Sequence, residues 1–218
     1  MKVGIDGVLL GAWCEIAQAK TILDIGTGTA LIALMLAQRS TAKINAIDID
    51  ADAILQANEN INNSPWQDRV SVTESSLQEY VKTNPPKYDL IVSNPPFFVN
   101  STLTPTHNRT IARHAVTLTH QELTILSKQL MTENGRLCII LPLEEGLKCI
   151  EHAQTIGLFC IKQCNVYPKP NSPIKRVLLE FSTIQSKRII DDITIESNVR
   201  HQYSEKFTAL ARDFYLKL

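Results

Sequence analysis

The sequence lacks any run of 18 apolar residues, so no membrane-spanning helix is expected. Its start, Met1-Lys2-Val3-Gly4-Ile5-Asp6-Gly7, lacks the basic-then-apolar order of a secretion signal. The expected compartment is therefore the cytoplasm. No two cysteines have C-x-x-C spacing, and their number, five, is odd. Cys160 and Cys164 fall in a strand-like run, where they would share a face about 13 Å apart, at ~3.3 Å per residue. That is too far for a disulfide or a shared metal, and buried free thiols are expected. The histidines show no metal spacing, so no metal is expected. Repeats, low-complexity tracts and linkers are absent, and 218 residues suit a single domain over 1–218.

Net charge is also missing, with 22 Lys and Arg against 22 Asp and Glu. Neutrality is unusual for a protein that meets nucleic acid. The distribution is uneven, however. Residues 1–80 carry 5 basic against 10 acidic side chains, which leaves 17 against 12 in residues 81–218. An acidic half suits a cationic cofactor and a basic half a polyanion.

Apolar strand-like runs alternate with helix-like ones, which implies a mostly parallel sheet covered on both faces. Strands are expected at Thr21–Ile25, Ile44–Ile49, Val70–Thr73, Tyr88–Ser93, Arg136–Leu141, Cys160–Tyr167 and Arg176–Ser182. The last two read as an antiparallel hairpin, which makes one strand reversed. Helices are expected at Ala30–Arg39, Ala51–Asn62 and Leu143–Thr155. Another starts at the capping box Thr119-His120-Gln121-Glu122 and ends near Glu133-Asn134-Gly135. Phe207, Leu210, Ala211, Phe214, Tyr215 and Leu218 form one stripe of a final amphipathic helix that begins at Ser204.

Ligands of such a sheet lie beyond the carboxyl ends of its strands. The first strand ends in Asp24-Ile25-Gly26-Thr27-Gly28-Thr29-Ala30-Leu31. Gly26 and Gly28 allow a tight turn and close approach of a ligand. Leu31 stands where a dinucleotide fingerprint needs its third glycine, so the loop suits a nucleoside without a diphosphate. Asp24 can face a ligand's ammonium group, or can cap the turn. Asp48 ends the second strand about 20 residues on, where a carboxylate receives ribose hydroxyls. Asp50 reads as the cap of the next helix.

The fourth strand runs into Asn94-Pro95-Pro96-Phe97. Two prolines fix the turn and remove two N–H donors. The Asn94 Oδ1 and the Pro95 carbonyl can accept the two N–H groups of an amine conjugated to a ring or acyl group. Holding both donors pulls the nitrogen toward a tetrahedral form and aims its lone pair at a methyl donor, so orientation supplies much of the rate. Phe97 can stack on an extruded base. Further on, Arg109, Arg113 and His114 lie in a polar, basic segment suited to phosphate contacts. Lys175 and Arg176 belong to a second basic group with Lys162, Lys169, Lys187 and Arg188, which can track an RNA backbone or solvate edge strands.

With Asp24–Thr29, Asp48 and Asn94–Phe97 in place, the whole chain resembles the Rossmann-like amino methyltransferases that use S-adenosyl-L-methionine. Within that class it is most similar to the bacterial enzymes that methylate N6 of the adenosine 3′ of the anticodon (position 37) in tRNA(Val). Met1–Trp13, Glu59–Trp66, Arg113-His114 and Tyr203–Tyr215 carry this narrower match. The resemblance implies a monomer with a seven-stranded sheet whose last strand is reversed. It implies Asp6 and Ser76 in the cofactor site, Ser76 standing where relatives offer the adenine an acidic side chain. It also implies a segment rich in Phe and Lys ahead of Met1, expected here to be missing. Three other readings stay open. These are a guanine-N2 methyltransferase of ribosomal RNA, a protein glutamine N5-methyltransferase and a non-catalytic RNA- or nucleotide-binding module.

Overall fold

The computed structural model describes residues 4–96, 118–199 and 202–215. An eight-stranded sheet forms in the order β3-β2-β1-β4-β5-β7-β6-β8. Its strands are β1 Thr21–Ile25, β2 Lys43–Asp48, β3 Val70–Glu74, β4 Tyr88–Ser93, β5 Met131–Pro142, β6 Phe159–Tyr167, β7 Arg176–Ser182 and β8 Ile189–Thr194. Strands β1 to β5 pair in parallel, while β7 runs antiparallel to both β5 and β6. The expected hairpin and its single reversed strand are therefore present. The expected seven strands become eight because β8 follows and pairs in parallel with β6.

Helices α1 Ile5–Trp13, α2 Leu31–Arg39 and α3 Ala51–Asn62 cover one face, joined by the late helix α7 Glu205–Ala211. Helices α4 Leu77–Lys82, α5 His120–Leu130 and α6 Leu143–Thr155 cover the other. Each face buries its own cluster: Leu9, Ile22, Leu36, Leu90 and Phe207 on the first, Leu23, Leu77, Ile91, Leu123 and Phe181 on the second. Each such side chain contributes roughly 1.5–3 kcal/mol on burial. Side chains of β1 alternate between the clusters, with Ile22 in one and Leu23 in the other, so the strand is apolar on both sides as a central parallel strand must be.

Helix α1, which the strand–helix pattern does not anticipate, packs closely on α2. A Cβ on Gly7 would lie 3.3 Å from the Leu31 Cδ2, and one on Gly11 would lie 2.9 Å from the Met35 sulfur. The capping box at Thr119 forms as expected, with Thr119 and Glu122 bonding reciprocally. Helix α5 nevertheless ends at Leu130 rather than near Gly135. Glu133-Asn134-Gly135 lies in a bulge of β5, where pairing jumps from Tyr88–Met131 to Leu90–Arg136. A Cβ on Gly135 would meet the Tyr88 carbonyl oxygen at 2.8 Å, so this bulge requires glycine.

The final helix forms on its Ser204 cap but stops as an α-helix at Ala211, then tightens into a 3-10 turn over Arg212–Phe214. All five cysteines are free and buried. Burial pushes Cys149 up to about 12, Cys160 to about 11 and Cys164 to about 12, so these thiols stay protonated at neutral pH. Cys160 and Cys164 do not share a face. A register shift between Cys160 and Lys162 reverses the alternation and sends the two thiols into opposite clusters.

Candidate active site

Strand order reverses between β1 and β4. Ile25 pairs with Ser93 at their carboxyl ends, and the Ser93 hydroxyl donates to the Ile25 carbonyl at 2.8 Å. This bond locks the glycine loop beside Asn94, at the place where a doubly wound sheet opens a crevice.

The loop between β1 and α2 is held from three sides. Gly26 (φ +70°) and Gly28 (φ +56°) adopt the left-handed region, and so does Ala30 (φ +64°). Gly26 and Thr27 donate their N–H groups to the Ile47 carbonyl at 2.9 and 3.0 Å. Asp24, fully buried at the end of β1, accepts from the Thr27 hydroxyl at 2.7 Å and from the Ala33 N–H at 3.1 Å. Ala30 has no side chain with which to cap α2, so Asp24 caps that helix from the neighbouring strand. Burial raises its carboxyl from 3.8 to about 7 against the opposing pull of those hydrogen bonds, and the nearby Asp48 adds like-charge repulsion. Its Oδ1 is buried without a partner among the described residues.

Asp48 ends β2 as expected. Its Oδ2 accepts from the Gly28 N–H at 2.7 Å and its Oδ1 from the Asp50 N–H at 3.0 Å. A carboxylate has about four acceptor sites, so it retains capacity for two hydroxyls. Asp50 caps α3 through the Asp52 and Ala53 N–H groups. Ile49, which the sequence places inside the strand, lies beyond it and is 52 % exposed. An apolar side chain beside a ribose-height carboxylate offers a face to a nucleobase, a role that periodicity does not reveal. Ser76 caps α4, accepting from the Glu79 N–H at 3.2 Å.

Asn94 follows β4, half-buried, and Pro95 is buried behind it. The Asn94 Oδ1 is shielded from solvent and has no hydrogen-bond donor among the described residues. A buried acceptor left this way costs roughly 1–3 kcal/mol, which a ligand N–H would recover. The residues fit an adenosyl cofactor bearing positive charge. A Cβ on Gly26 would touch nothing within 4 Å, so the loop leaves room for a ligand, and Asp24 and Asp48 lie near enough to each other to interact.

Two residues that the sequence assigns to different ligands meet each other. Arg176 Nε donates to the Asp6 carboxylate at 2.9 Å. The pair ties the first turn of α1 to the start of β7, opposite Pro142 at the carboxyl end of β5. Other basic side chains also serve the fold. Lys162 lies 5.8 Å over the Trp13 ring, Lys169 pairs with Glu196 and Arg188 donates to Gln163. Phe97, Arg109, Arg113 and His114 lie outside the described residues. Among the described residues no three His, Cys, Asp or Glu side chains gather to hold a metal, and no helix is long and apolar enough to cross a membrane.

In solved structures the same fold recurs in a predicted O-methyltransferase from Agrobacterium tumefaciens, with a TM-score of 0.75 over 95 % of each chain at 16 % identity. Residues 8–148 match the methyltransferase small domain family. Full-length relatives narrow the class. A tRNA1(Val) (adenine(37)-N6)-methyltransferase of Parabacteroides distasonis is 49 % identical over 100 % of this chain and 92 % of its own length. One of Trichodesmium erythraeum is 44 % identical with the same coverage. The chain belongs to the methyltransferase small domain family and, within it, to the tRNA1(Val) (adenine(37)-N6)-methyltransferases.

Proposed function

We propose that this chain methylates N6 of an adenine in tRNA, the adenosine 3′ of the anticodon (position 37) of tRNA1(Val), as a cytoplasmic enzyme. The observation that supports the reading is the buried Asn94 Oδ1 at the switch point beside the glycine loop, which has no hydrogen-bond donor among the described residues. S-adenosyl-L-methionine, the cofactor, supplies the methyl group on a positively charged sulfur. Asp48 accepts ribose hydroxyls, Ile49 and Ser76 meet the cofactor's adenine, and Gly26 and Gly28 leave room for the ligand. Asp24 offers negative charge to the cofactor's ammonium group, and Asp6 steadies α1 above the site.

At the target, the Asn94 Oδ1 and the Pro95 carbonyl accept the two N–H groups of the adenine amine. This would aim the nitrogen lone pair at the methyl carbon, whose bond to sulfur would break as the N–C bond forms, the sulfur keeping the pair as a neutral thioether and the nitrogen's extra proton passing to solvent. Phe97 stacks on the extruded base. Arg109, Arg113 and His114, with Lys175 and Arg176 at the same edge of the sheet, contact the RNA backbone.

Asn94→Ala tests the reading. Methyl transfer is expected to fall by roughly a thousandfold or more, the scale of losing a group that orients the reacting atom. Cofactor affinity, measured by calorimetry, is expected to stay within about threefold. Wild-type turnover in that variant contradicts the proposed role.

A further inference from the structure

Asn60 sits half-buried in the last turn of α3, on the segment that carries the narrower family match. Asparagine is a poor helix former, so its place there asks for a reason. Its Nδ2 donates to the Thr29 carbonyl at 2.9 Å, 31 residues away in sequence. Gln56 Nε2 donates to its Oδ1 at 3.3 Å, which fixes which end of the amide faces the loop.

The Thr29 carbonyl belongs to the peptide unit ahead of Ala30. Ala30 is a residue with a Cβ at φ +64°, a conformation costing roughly 1–2 kcal/mol. The other end of the same peptide unit, the Ala30 N–H, donates to the Thr27 carbonyl at 3.1 Å. Both ends of a strained peptide are thus pinned. The clamp is shared along the loop: Asp24 of β1 holds Thr27, Asp48 of β2 holds Gly28 and Asn60 of α3 holds Thr29.

We propose that Asn60 is a positioning residue that holds the glycine loop in its cofactor-binding shape. The inference rests on the cofactor assignment above. Asp24 and Asp48 hold groups on the β-strand side of the loop. Among the described residues, Asn60 is the one that restrains the loop from the α3 side. Without it the Thr29–Ala30 peptide can rotate, relieve the strain at Ala30 and leave the loop in a shape that a ligand must correct on binding.

Three proteins test this by calorimetric titration with S-adenosyl-L-methionine, each followed by turnover at saturating cofactor. Asn60→Ala is expected to raise the cofactor Kd about tenfold, near 1.4 kcal/mol, and to leave kcat within about twofold. Asn60→Asp keeps the shape but loses the donor, so it is expected to bind as weakly at neutral pH. Its affinity relative to wild type is expected to recover as pH falls from about 7.5 to about 4, where roughly half of an aspartic carboxyl is protonated and regains an O–H donor. An unchanged Kd in Asn60→Ala overturns the inference, as does an Asn60→Asp deficit that ignores pH. Wild-type protein that binds no cofactor overturns instead the reading on which the inference rests.

Discussion

Asp24 shows what a single side chain does in this site. Its carboxyl titrates at about 7 in the folded chain, mainly because it is buried, against 3.8 when exposed. The folded state therefore holds the proton more tightly. Stability from this group is fully present below pH 4 and is lost as pH rises through about 7. The slope reaches about 1.4 kcal/mol for each pH unit in that window. Asp24→Asn keeps an acceptor for Thr27 and Ala33 and cannot ionise. Denaturant unfolding of the two proteins between pH 4 and 7 is expected to show a decline in the wild type that is smaller in the variant. Parallel profiles contradict the assignment. The residues of this site that sequence makes plain are those with few alternative uses. Asp48 closes a strand at ribose spacing, Asp50 caps a helix, and Asn94-Pro95-Pro96 ends an apolar run. Asn60 and Ile49 are not plain in the same way. Asn60 works through a contact 31 residues away, and Ile49 looks like one more strand residue until its 52 % exposure is known.

Among the elements, segments with an unbroken apolar run or a clear period stand where expected, and segments with neither do not. Helix α3 and strands β1, β4 and β7 stand at their expected limits. Helix α1 carries Gly7 and Gly11, which lower helix propensity, and the close approach to α2 that they permit is a tertiary gain that no local signal shows. Helix α4 has six residues, too few to show a period. Strand β8 escapes because only Ile193 of its six residues is buried, so no alternation marks it, and Ile189 and Ile190 stand 62 % and 61 % exposed. A close contact also sets the seat of α6 on the sheet. A Cβ on Gly146 would lie 2.3 Å from the Val177 Cγ2, inside any tolerable distance. Gly146→Ala is expected to cost about 1–3 kcal/mol in denaturant unfolding. In a Val177→Ala background, where the obstructing methyls are gone, the same substitution is expected to cost little or to stabilise. An equal cost in both backgrounds contradicts the packing account.

At the scale of the molecule, one feature of topology gathers residues that are distant in sequence. The order reversal between β1 and β4 places the glycine loop beside Asn94, and the parallel direction of β1 to β5 brings their carboxyl ends to one edge. Strand–helix alternation is enough to foresee that edge, which is why the position of the site was readable before its details. The reversed β7 sends its first residue, Arg176, to the same edge, where it anchors α1 through Asp6. That pairing was not readable, because 170 residues separate the partners. Zero net charge hides an uneven spread, since residues 1–80 carry 10 acidic against 5 basic side chains.

The most direct test is methyl transfer from labelled S-adenosyl-L-methionine to unmodified bulk tRNA, followed by nucleoside analysis of the digest. Label is expected in N6-methyladenosine and is expected to be lost in Asn94→Ala. Label found instead in guanine of ribosomal RNA or in a protein glutamine, with none in tRNA, would contradict the proposed function.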